Sequence, residues 1–308
     1  MTPTVAKTLE MRCFLAALGL CLALGCTRSP RPPAEPTPSL RLAVVTDLKG
    51  YLEPCGCTSN PLGGIDRLAA QVEALRRDGV PVVVLAAGDL FFDTGSIEPS
   101  RVDQAERNAK TLATILDRIG LAAALPGASD LAQPAALLDD LRAATDFVWL
   151  ADDEPVEAVE HRAGGLRLAL LGARSDAATD AVSSAGAAAA AEADLSILLV
   201  DGSRRDANRF AAPSRADLVI QGGLDQDAPI APRLSRGAWV LHASRQGQGL
   251  TVVDLYVREK GSAFVDQSDW SRQEGIAQLD RRIEDLSAKI AAWETSAEFQ
   301  PEELAPQR

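Results

Sequence analysis

The strongest constraint on the fold is a regular alternation of short apolar runs with amphipathic stretches along the middle of the chain. Short apolar runs that end at turn-forming or small polar residues are typical of buried strands. The predicted strands are Leu42–Thr46, Val80–Ala86, Leu121–Leu125, Phe147–Leu150, Leu166–Leu171, Leu195–Val200 and Leu218–Ile220. Apolar residues recur at helical spacing in Ile65–Arg77, Val102–Ile119, Ala135–Ala144 and Ala181–Ala191. The alternation predicts an α/β fold.

Three later apolar segments follow one another without a helix between them. They are Trp239–His242, Leu250–Val257 and Ser262–Val265, and we predict a strand for each. Strand and helix alternation followed by successive strands indicates two sheets packed face to face with helices outside. No linker rich in Pro or Gly interrupts the chain from about Leu40 onward, so we predict one domain over residues 40–268.

The beginning of the chain predicts export. A basic residue, Arg12, precedes the apolar run Cys13–Leu24, which is too short to span a bilayer. We interpret residues 1–25 as a signal peptide whose true start is Met11. The run ends in Ala-Leu-Gly-Cys, which resembles a lipobox, so Cys26 is predicted to carry a lipid and to begin the mature protein. An ordinary cleaved signal peptide is the alternative.

Residues 26–39 are predicted to be a tether. The sequence TRSPRPPAEPTPS after Cys26 is dense in Pro and poor in large apolar residues, which favours an extended, polyproline-like spacer. Thr27 follows the cysteine, and this resembles the sorting pattern of outer-membrane lipoproteins. We therefore expect a lipoprotein of the cell envelope that faces the periplasm or the surface, with the outer membrane favoured over the inner.

The negative net charge of the chain argues against nucleic acid as a partner. The formal net charge is -12 and the sequence pI is near 4.7, and no basic stripe offsets this. Such a chain would be repelled by the phosphates of nucleic acid, so we predict no nucleic-acid partner.

Residues 269–308 are predicted to be an amphipathic helix and a tail. The helix carries apolar residues at steps of three and four, which are Ile276, Leu279, Ile283, Leu286 and Ile290. A coiled-coil contact with an envelope protein partner is one interpretation, although about three heptads are marginal for a stable coiled coil. A terminal helix docked on its own domain, or a loosely ordered stalk, is the alternative.

Six segments together resemble a known superfamily. In chain order they are TDLKGYLEPCGC, PLGGIDRLA, VVLAAGDLFFDTG, AAALPGASDL, LSILLVDGSRRD and DLVIQGGLDQ. Their order and their positions at strand ends resemble the calcineurin-like metallophosphoesterases, and within these the catalytic domain of the 5'-nucleotidases. The resemblance covers most of the chain from Leu42 to about Val257. It implies a four-layer αββα sandwich, here followed by a C-terminal amphipathic helix.

The resemblance also implies a centre of two divalent metals, held by carboxylates and imidazoles so that a metal-bound water can attack phosphorus. The family's opening Asp-x-His is here Asp47-Leu48-Lys49, so the carboxylate remains and the imidazole has become an amine. The Gly-Asp that supplies the bridging carboxylate is kept as Gly88-Asp89. The first two motifs therefore keep their acids and lose an imidazole.

The other three motifs have also lost their ligands. The family's Gly-Asn-His-Asp is here Gly127-Ala128-Ser129-Asp130, without the asparagine ligand and the histidine that stabilises the leaving group. The histidine at the end of the next strand corresponds to Asp201, and the closing Gly-His-x-His corresponds to Gly222-Gly223-Leu224-Asp225. The degenerate ligand positions are therefore Lys49, Ala128, Ser129 and Gly223.

The chain's two histidines lie elsewhere. His161 and His242 fall inside the strand-like segments VEHRAG and WVLHAS, not at the matching strand ends, and we predict structural roles for both.

Four carboxylates remain in the predicted crevice, which are Asp47, Asp89, Asp201 and Asp225. They could hold one hard ion such as Ca²⁺ or Mg²⁺. Lys49 argues against this, and we hypothesise that it pairs with the carboxylates of Asp47 and Asp89 in place of the metal. We therefore expect no cofactor, or, if the protein is active, a divalent Mn, Mg, Ca or Zn ion.

Cys55 and Cys57 are the only cysteines left after removal of the signal peptide and lipidation of Cys26. They flank Gly56 in a predicted exposed loop. A disulfide, a metal or redox site, and free thiols all remain open.

Two functions from different classes follow. The first is a phosphoesterase-shaped domain that has lost catalysis and acts as a binding or scaffolding module at the envelope. The second is an active metal-dependent phosphoesterase or nucleotidase that hydrolyses a small phosphorylated solute. For the second function, the sequence does not identify which residue would be catalytic.

Overall fold

The computed structural model describes residues 37–54, 62–151, 156–224, 231–257, 264–266 and 270–295. The chain divides into one unit over Met1–Thr37 and a second over Pro38–Arg308. The predicted signal peptide, Cys26 and nearly all of the tether lie outside the described residues. No helix in the described ranges combines the length and the apolar character that crossing a membrane requires.

The first sheet has five strands in the order β11-β1-β2-β3-β4. The strands are β1 (Leu40–Thr46), β2 (Val82–Gly88), β3 (Leu121–Pro126), β4 (Val148–Trp149) and β11 (Thr251–Leu255). β1 to β4 run parallel, and β11 lies antiparallel to β1 at the edge. Central parallel strands are covered on both faces, which explains why β1 and β2 are almost continuously apolar.

The second sheet has six strands in the order β5-β6-β7-β8-β10-β9. The strands are β5 (Val159–Ala163), β6 (Leu166–Arg174), β7 (Leu195–Asp201), β8 (Leu218–Gly222), β9 (Arg233–Ser235) and β10 (Ala238–Leu241). β6, β7, β8 and β10 are parallel, and both edge strands are antiparallel to their neighbours.

Helices lie on the outer face of each sheet, and one further helix follows the sandwich in the chain. They are α1 (Ile65–Arg76), α2 (Val102–Arg118), α3 (Ala128–Leu131), α4 (Ala135–Ala143), α5 (Thr179–Glu192), α6 (Arg204–Ala211) and α7 (Trp270–Thr295), with 3-10 turns at Pro99–Arg101 and Arg245–Gly247. The sequence of α2 shows why such a segment forms a helix against a sheet. Its fully buried residues recur at helical spacing and are Ala109, Leu112, Ala113 and Leu116.

Three apolar clusters define the layers. The central cluster joins the facing sides of the sheets and includes Leu42 and Leu85 from one and Leu170 and Ile197 from the other. A second cluster joins the first sheet to α1, α2 and α4, and a third joins the second sheet to α5 and α6. The molecule is therefore an α/β, four-layer αββα sandwich followed by the C-terminal helix α7, as the sequence predicted.

Two strand predictions need correction at the end of the domain. β10 ends at Leu241, so His242 lies directly after the strand and not inside it. The predicted strand Ser262–Val265 is wrong in its described part, because residues 264–266 belong to neither sheet. The Phe264 carbonyl accepts a hydrogen bond from Trp239 Nε1 at 2.9 Å, a side-chain contact in place of a strand ladder.

Candidate functional site

The carboxyl ends of the two sheets meet, and three of the predicted acidic residues gather there. Asp47 directly follows β1, Asp89 directly follows β2, and Asp201 ends β7. The sheets are joined at this point because Asp47 Oδ1 accepts a hydrogen bond from the backbone N–H of Gly223 at 2.8 Å. Asp225, the fourth predicted acid, lies outside the described residues, as do Cys55 and Cys57.

Asp47 is held rigidly and is almost completely buried, with 1% of its surface exposed. Its backbone is left-handed, with φ of 51°, and its carbonyl accepts a hydrogen bond from the Gln246 N–H at 2.8 Å. Its second carboxyl oxygen, Oδ2, is buried and has no hydrogen-bond partner. Burial, opposed by the Gly223 N–H and reinforced by the nearby charge of Asp89, raises the pKa of Asp47 to about 6.

Asp89 is held by the residue that stands at a degenerate ligand position. The backbone N–H of Ser129 donates to Asp89 Oδ1 at 2.8 Å, and the Ser129 hydroxyl donates to Asp89 Oδ2 at 2.8 Å. Both oxygens of the carboxylate that would bridge two metals are therefore already hydrogen-bonded by this chain.

Asp201 completes the cluster. Burial, reinforced by the charges of Asp89 and Asp47, raises its pKa to about 7. A hydrogen bond from the Ala128 backbone and the charge of Arg174 oppose the shift. Two of the three carboxyls therefore bind protons near neutral pH, which reduces the negative charge that the crevice holds.

Lys49 lies beside an acid that the sequence did not single out. Its ammonium lies 3.5 Å from Asp93 Oδ1, an acid in the loop after β2 that the motifs do not single out. Its positive charge lowers the pKa of Asp47, which places it within electrostatic reach of the cluster. The hypothesis that Lys49 pairs with Asp47 and Asp89 stays a prediction.

Asp130 is a structural residue to which the sequence motifs assign no role. It is fully buried, and its carboxyl accepts hydrogen bonds from the backbone N–H groups of Leu90, Phe91 and Phe92 at 2.8 to 3.0 Å. It also accepts one from the Gly127 N–H at 3.2 Å. Asp130 therefore fixes the loop after β2. Its position three residues after Gly127, at the start of α3, is the signal that could have indicated a cap.

Glycines allow the crevice to close this tightly. Gly223, which stands where the family has an imidazole, has φ of 78°, and a Cβ atom there would lie 2.9 Å from Asp201 Oδ1. A Cβ atom at Gly88 would collide with Asp47, and one at Gly127 with Asp89. A side chain at Gly223 would therefore strain the backbone and displace Asp201.

The histidines lie outside this cluster. His161 lies in β5 opposite Leu168, as predicted for a strand residue. His242 is buried beside the ends of β8 and β10, and its Nδ1 lies 2.8 Å from the Gln221 carbonyl oxygen. A carbonyl only accepts, so Nδ1 carries the proton, and burial lowers the pKa of the ring.

A small basic void lies beside His242. Arg204 and Arg233 line it together with the histidine, and its volume is about 10 Å³, enough for one water molecule. His242 Nε2 and Arg233 Nη2 are buried there without a hydrogen-bond partner. The neutral imidazole offers a lone pair at Nε2, and the guanidinium offers an N–H.

The described residues do not fit a centre of two metals. No group of three or more His, Cys, Asp or Glu side chains in the described ranges is placed to hold a metal ion. The donor set is carboxylate only, both oxygens of Asp89 are already hydrogen-bonded, and Ala128 and Gly223 offer no side-chain ligand atom. One carboxyl oxygen in the crevice, Asp47 Oδ2, is buried without a hydrogen-bond partner.

Comparison with known proteins places this geometry in a structural class. The chain superimposes on the sulfate thiohydrolase SoxB from Thermus thermophilus with a TM-score of 0.59, at 19% identity over 75% of this chain and 56% of that one. A 5'-nucleotidase precursor, also from Thermus thermophilus, gives 0.55, at 16% identity over 80% and 59%. The NAD nucleotidase of Haemophilus influenzae gives 0.53, at 13% identity over 79% and 56%.

The chain has the fold of the calcineurin-like metallophosphoesterases. Within that class, the solved structures that it resembles include 5'-nucleotidases and SoxB, and it spans a little more than half of their length. No family model and no curated protein matches the sequence. At these identities the similarity defines the fold, and function must be argued from the site.

Proposed function

We propose that this protein is an envelope-tethered lipoprotein whose metallophosphoesterase-like domain acts as a binding or scaffolding module and no longer catalyses hydrolysis. The observation that carries the proposal is the hydrogen bonding of Asp89. Ser129 occupies both of its oxygens, at 2.8 Å each, from its backbone and from its side chain.

Ser129 and a metal ion would both use the carboxylate oxygens of Asp89. A carboxylate that bridges two cations uses both oxygens as ligands, and its neighbours must add further donors around each cation. Here the hydroxyl and N–H of Ser129 are the neighbours of Asp89, and both act as hydrogen-bond donors to it and not as metal ligands. Each oxygen of Asp89 keeps a further lone pair, but no group of three or more His, Cys, Asp or Glu side chains in the described ranges is placed to complete a metal site.

The alternative is an active metal-dependent phosphoesterase or nucleotidase. Asp47 Oδ2 favours it, since a buried carboxyl oxygen without a partner beside two other acids is a natural ligand for a hard cation. The raised pKa values of Asp47 and Asp201 agree with this alternative too, because a cation would relieve the same repulsion that protonation relieves.

Metal analysis and a hydrolysis assay on the purified protein separate the two functions. The assay uses p-nitrophenyl phosphate with Mn²⁺, Mg²⁺, Ca²⁺ or Zn²⁺ added singly. We expect no stoichiometric metal and no hydrolysis above the rate of the Asp89→Ala variant. Asp140→Asn is the matched control, because Asp140 lies on the exposed side of α4 and pairs with Lys110.

The proposal would be overturned in favour of an enzyme by metal-dependent hydrolysis with the following pattern. Asp47→Asn and Asp89→Ala would abolish the hydrolysis, and Asp140→Asn would retain it. Stoichiometric metal that is lost only on Asp89→Ala would overturn the hypothesis that the Lys49 ammonium replaces the metal, even without turnover.

A further inference from the structure

Helix α7 presents a continuous apolar stripe to solvent. The helix has 26 residues, about 39 Å of length at 1.5 Å per residue. Five large apolar side chains along it are between 46% and 63% exposed, namely Ile276, Leu279, Ile283, Leu286 and Ile290. Every residue from 279 to 292 is exposed. The stripe is therefore not covered by the parts of the domain that the structure describes.

The stripe has the heptad order of a two-stranded coiled coil. When Ile276 is placed at position a, the other isoleucines also fall at a, and Leu279 and Leu286 fall at d. A β-branched residue at a with Leu at d favours a parallel dimer over trimers and tetramers. A strict seven-residue repeat also keeps the stripe facing its partner when the helices supercoil.

Charges beside the stripe favour the parallel orientation and a second copy of the same helix. Arg282 and Lys289 occupy g positions, and Asp280 occupies an e position. In an antiparallel pair g faces g, so Arg282 of one helix would lie against Arg282 or Lys289 of the other. In a parallel pair g faces e of the next heptad, which sets Arg282 opposite position 287, a serine, and Lys289 opposite position 294, a glutamate.

An ion pair within α7 also stabilises the helix. Lys289 Nζ lies 2.7 Å from Asp285 Oδ2, an ion pair across one turn with the acid nearer the amino end. This orientation stabilises a helix that stands free of a domain.

We propose that two copies of this chain associate through α7 as a parallel two-stranded coiled coil, with Ile276, Leu279, Ile283, Leu286 and Ile290 as its seam. The proposal is independent of the crevice and of whether the domain is catalytic. Because the stripe lies on an exposed helix, substitutions there leave the sandwich folded, which an unchanged melting temperature of the domain would verify.

Cysteine crosslinking of the full chain in membranes tests both the partner and the orientation. Leu286→Cys places a thiol at position d, where the two helices of a parallel dimer bring identical residues together. Ala288→Cys is the matched control, because position f faces away from the seam. With a mild oxidant we expect a disulfide-linked species of twice the chain mass for Leu286→Cys, well above the level of the wild type and of Ala288→Cys.

A second measurement does not depend on thiols. Light scattering of the full chain in detergent, with the detergent mass subtracted, should give a dimer that dissociates on dilution. Ile283→Asp should raise the dissociation constant at least about tenfold, whereas Ala288→Asp, with the same added charge at position f, should not. A monomer in the wild type, equal crosslinking at positions 286 and 288, or a Leu286→Cys product with a different protein would each overturn the proposal.

Discussion

The raised pKa of Asp201 limits the negative charge that the crevice holds. The carboxyl is 7% exposed and lies beside Asp89 and Asp47, whose charges make a third negative charge costly. Its pKa of about 7 in the folded protein lies well above the ordinary value of 3.8. Below pH 3.8 both the folded and the unfolded chain hold the proton. As the pH rises from 3.8 to about 7, only the unfolded chain ionises, and the folded state loses stability.

Asp201→Asn should remove that loss. We expect the variant and the wild type to have nearly equal free energies of unfolding at about pH 4. At about pH 8 the variant should be more stable by about 4 kcal/mol, since the pKa of Asp201 is raised by about three units and each unit is worth about 1.4 kcal/mol. Urea unfolding at the two pH values measures the difference. A gain at the lower pH as large as that at the higher pH would contradict the argument, and Asp140→Asn should show neither.

Ser129→Ala should weaken the fold at the same site. The substitution removes the hydroxyl that donates to Asp89 Oδ2 at 2.8 Å and leaves the backbone bond in place. A hydrogen bond to a partly buried carboxylate suggests a loss of about 1 kcal/mol in the free energy of unfolding. Ser129→Thr, which keeps the hydroxyl, should remain near the wild type. Equal stability of Ser129→Ala and the wild type would show that this bond contributes nothing.

The sequence could locate Asp47, Asp89 and Asp201 because each follows or ends a buried apolar strand, and parallel strands end at a shared edge. It could not find the ion pair between Lys49 and Asp93. Asp93 lies in a loop, and only the path of the backbone after β2 brings its carboxyl to the ammonium. Residues whose positions depend on loop geometry carry no periodic signal.

Among the helices, α5 can be predicted from the spacing of its apolar residues, whereas α6 cannot. Helical spacing predicts the alanine-rich α5 to within a few residues. The same pattern misses α6, because its sequence RRDANRFA is strongly polar and only Ala207, Phe210 and Ala211 are buried. Its start does carry a signal, a capping box in which the Asp206 N–H donates to Ser203 Oγ at 3.4 Å and the Ser203 N–H donates to Asp206 Oδ2 at 3.0 Å. Short polar helices are fixed by their caps and by tertiary contacts more than by pattern.

Gly186 explains why α5 can pack where it does. A Cβ atom at this position would collide with the carbonyl of Ser214, a fully buried residue in the turn between α6 and β8. We expect Gly186→Ala to destabilise the protein by about 2 kcal/mol, although alanine favours a helix by about 1 kcal/mol.

Thermal or urea unfolding measures the effect, with Ser184→Ala in the same helix as the control, since Ser184 is exposed. If Gly186→Ala were as stable as Ser184→Ala, the close approach of α5 to the Ser214 turn would be wrong.

For the whole molecule, the architecture followed from the sequence more readily than the activity. Two sheets with helices outside follow from the order of apolar runs, because each amphipathic layer must bury its apolar side against another. Catalysis depends on ligand atoms at a few positions, and the same sandwich folds with or without them. The fold class was therefore predictable from the sequence, whereas the activity depends on individual side chains at the crevice.

Cys26→Ala tests the proposed anchor at the level of the whole chain. We expect the wild type to incorporate labelled fatty acid and to remain with the membrane fraction, because an acyl chain adds about 0.8 kcal/mol of membrane affinity per buried CH₂ group. The variant should lose the label. Cys57→Ala is the control, because it removes a cysteine outside the predicted lipobox. Label that persists in Cys26→Ala would show that the lipid, if any, is attached elsewhere.

The left-handed backbone at Gly223 limits which substitutions the crevice accepts. A mutation to histidine there would meet both an unfavourable φ and the carboxyl of Asp201. A histidine at Ser129 would remove the hydroxyl that holds Asp89. If catalysis has been lost as proposed, each of these two substitutions toward the family's ligands would weaken the fold before a ligand set was complete. Selection acting one substitution at a time would then favour refinement of the present crevice.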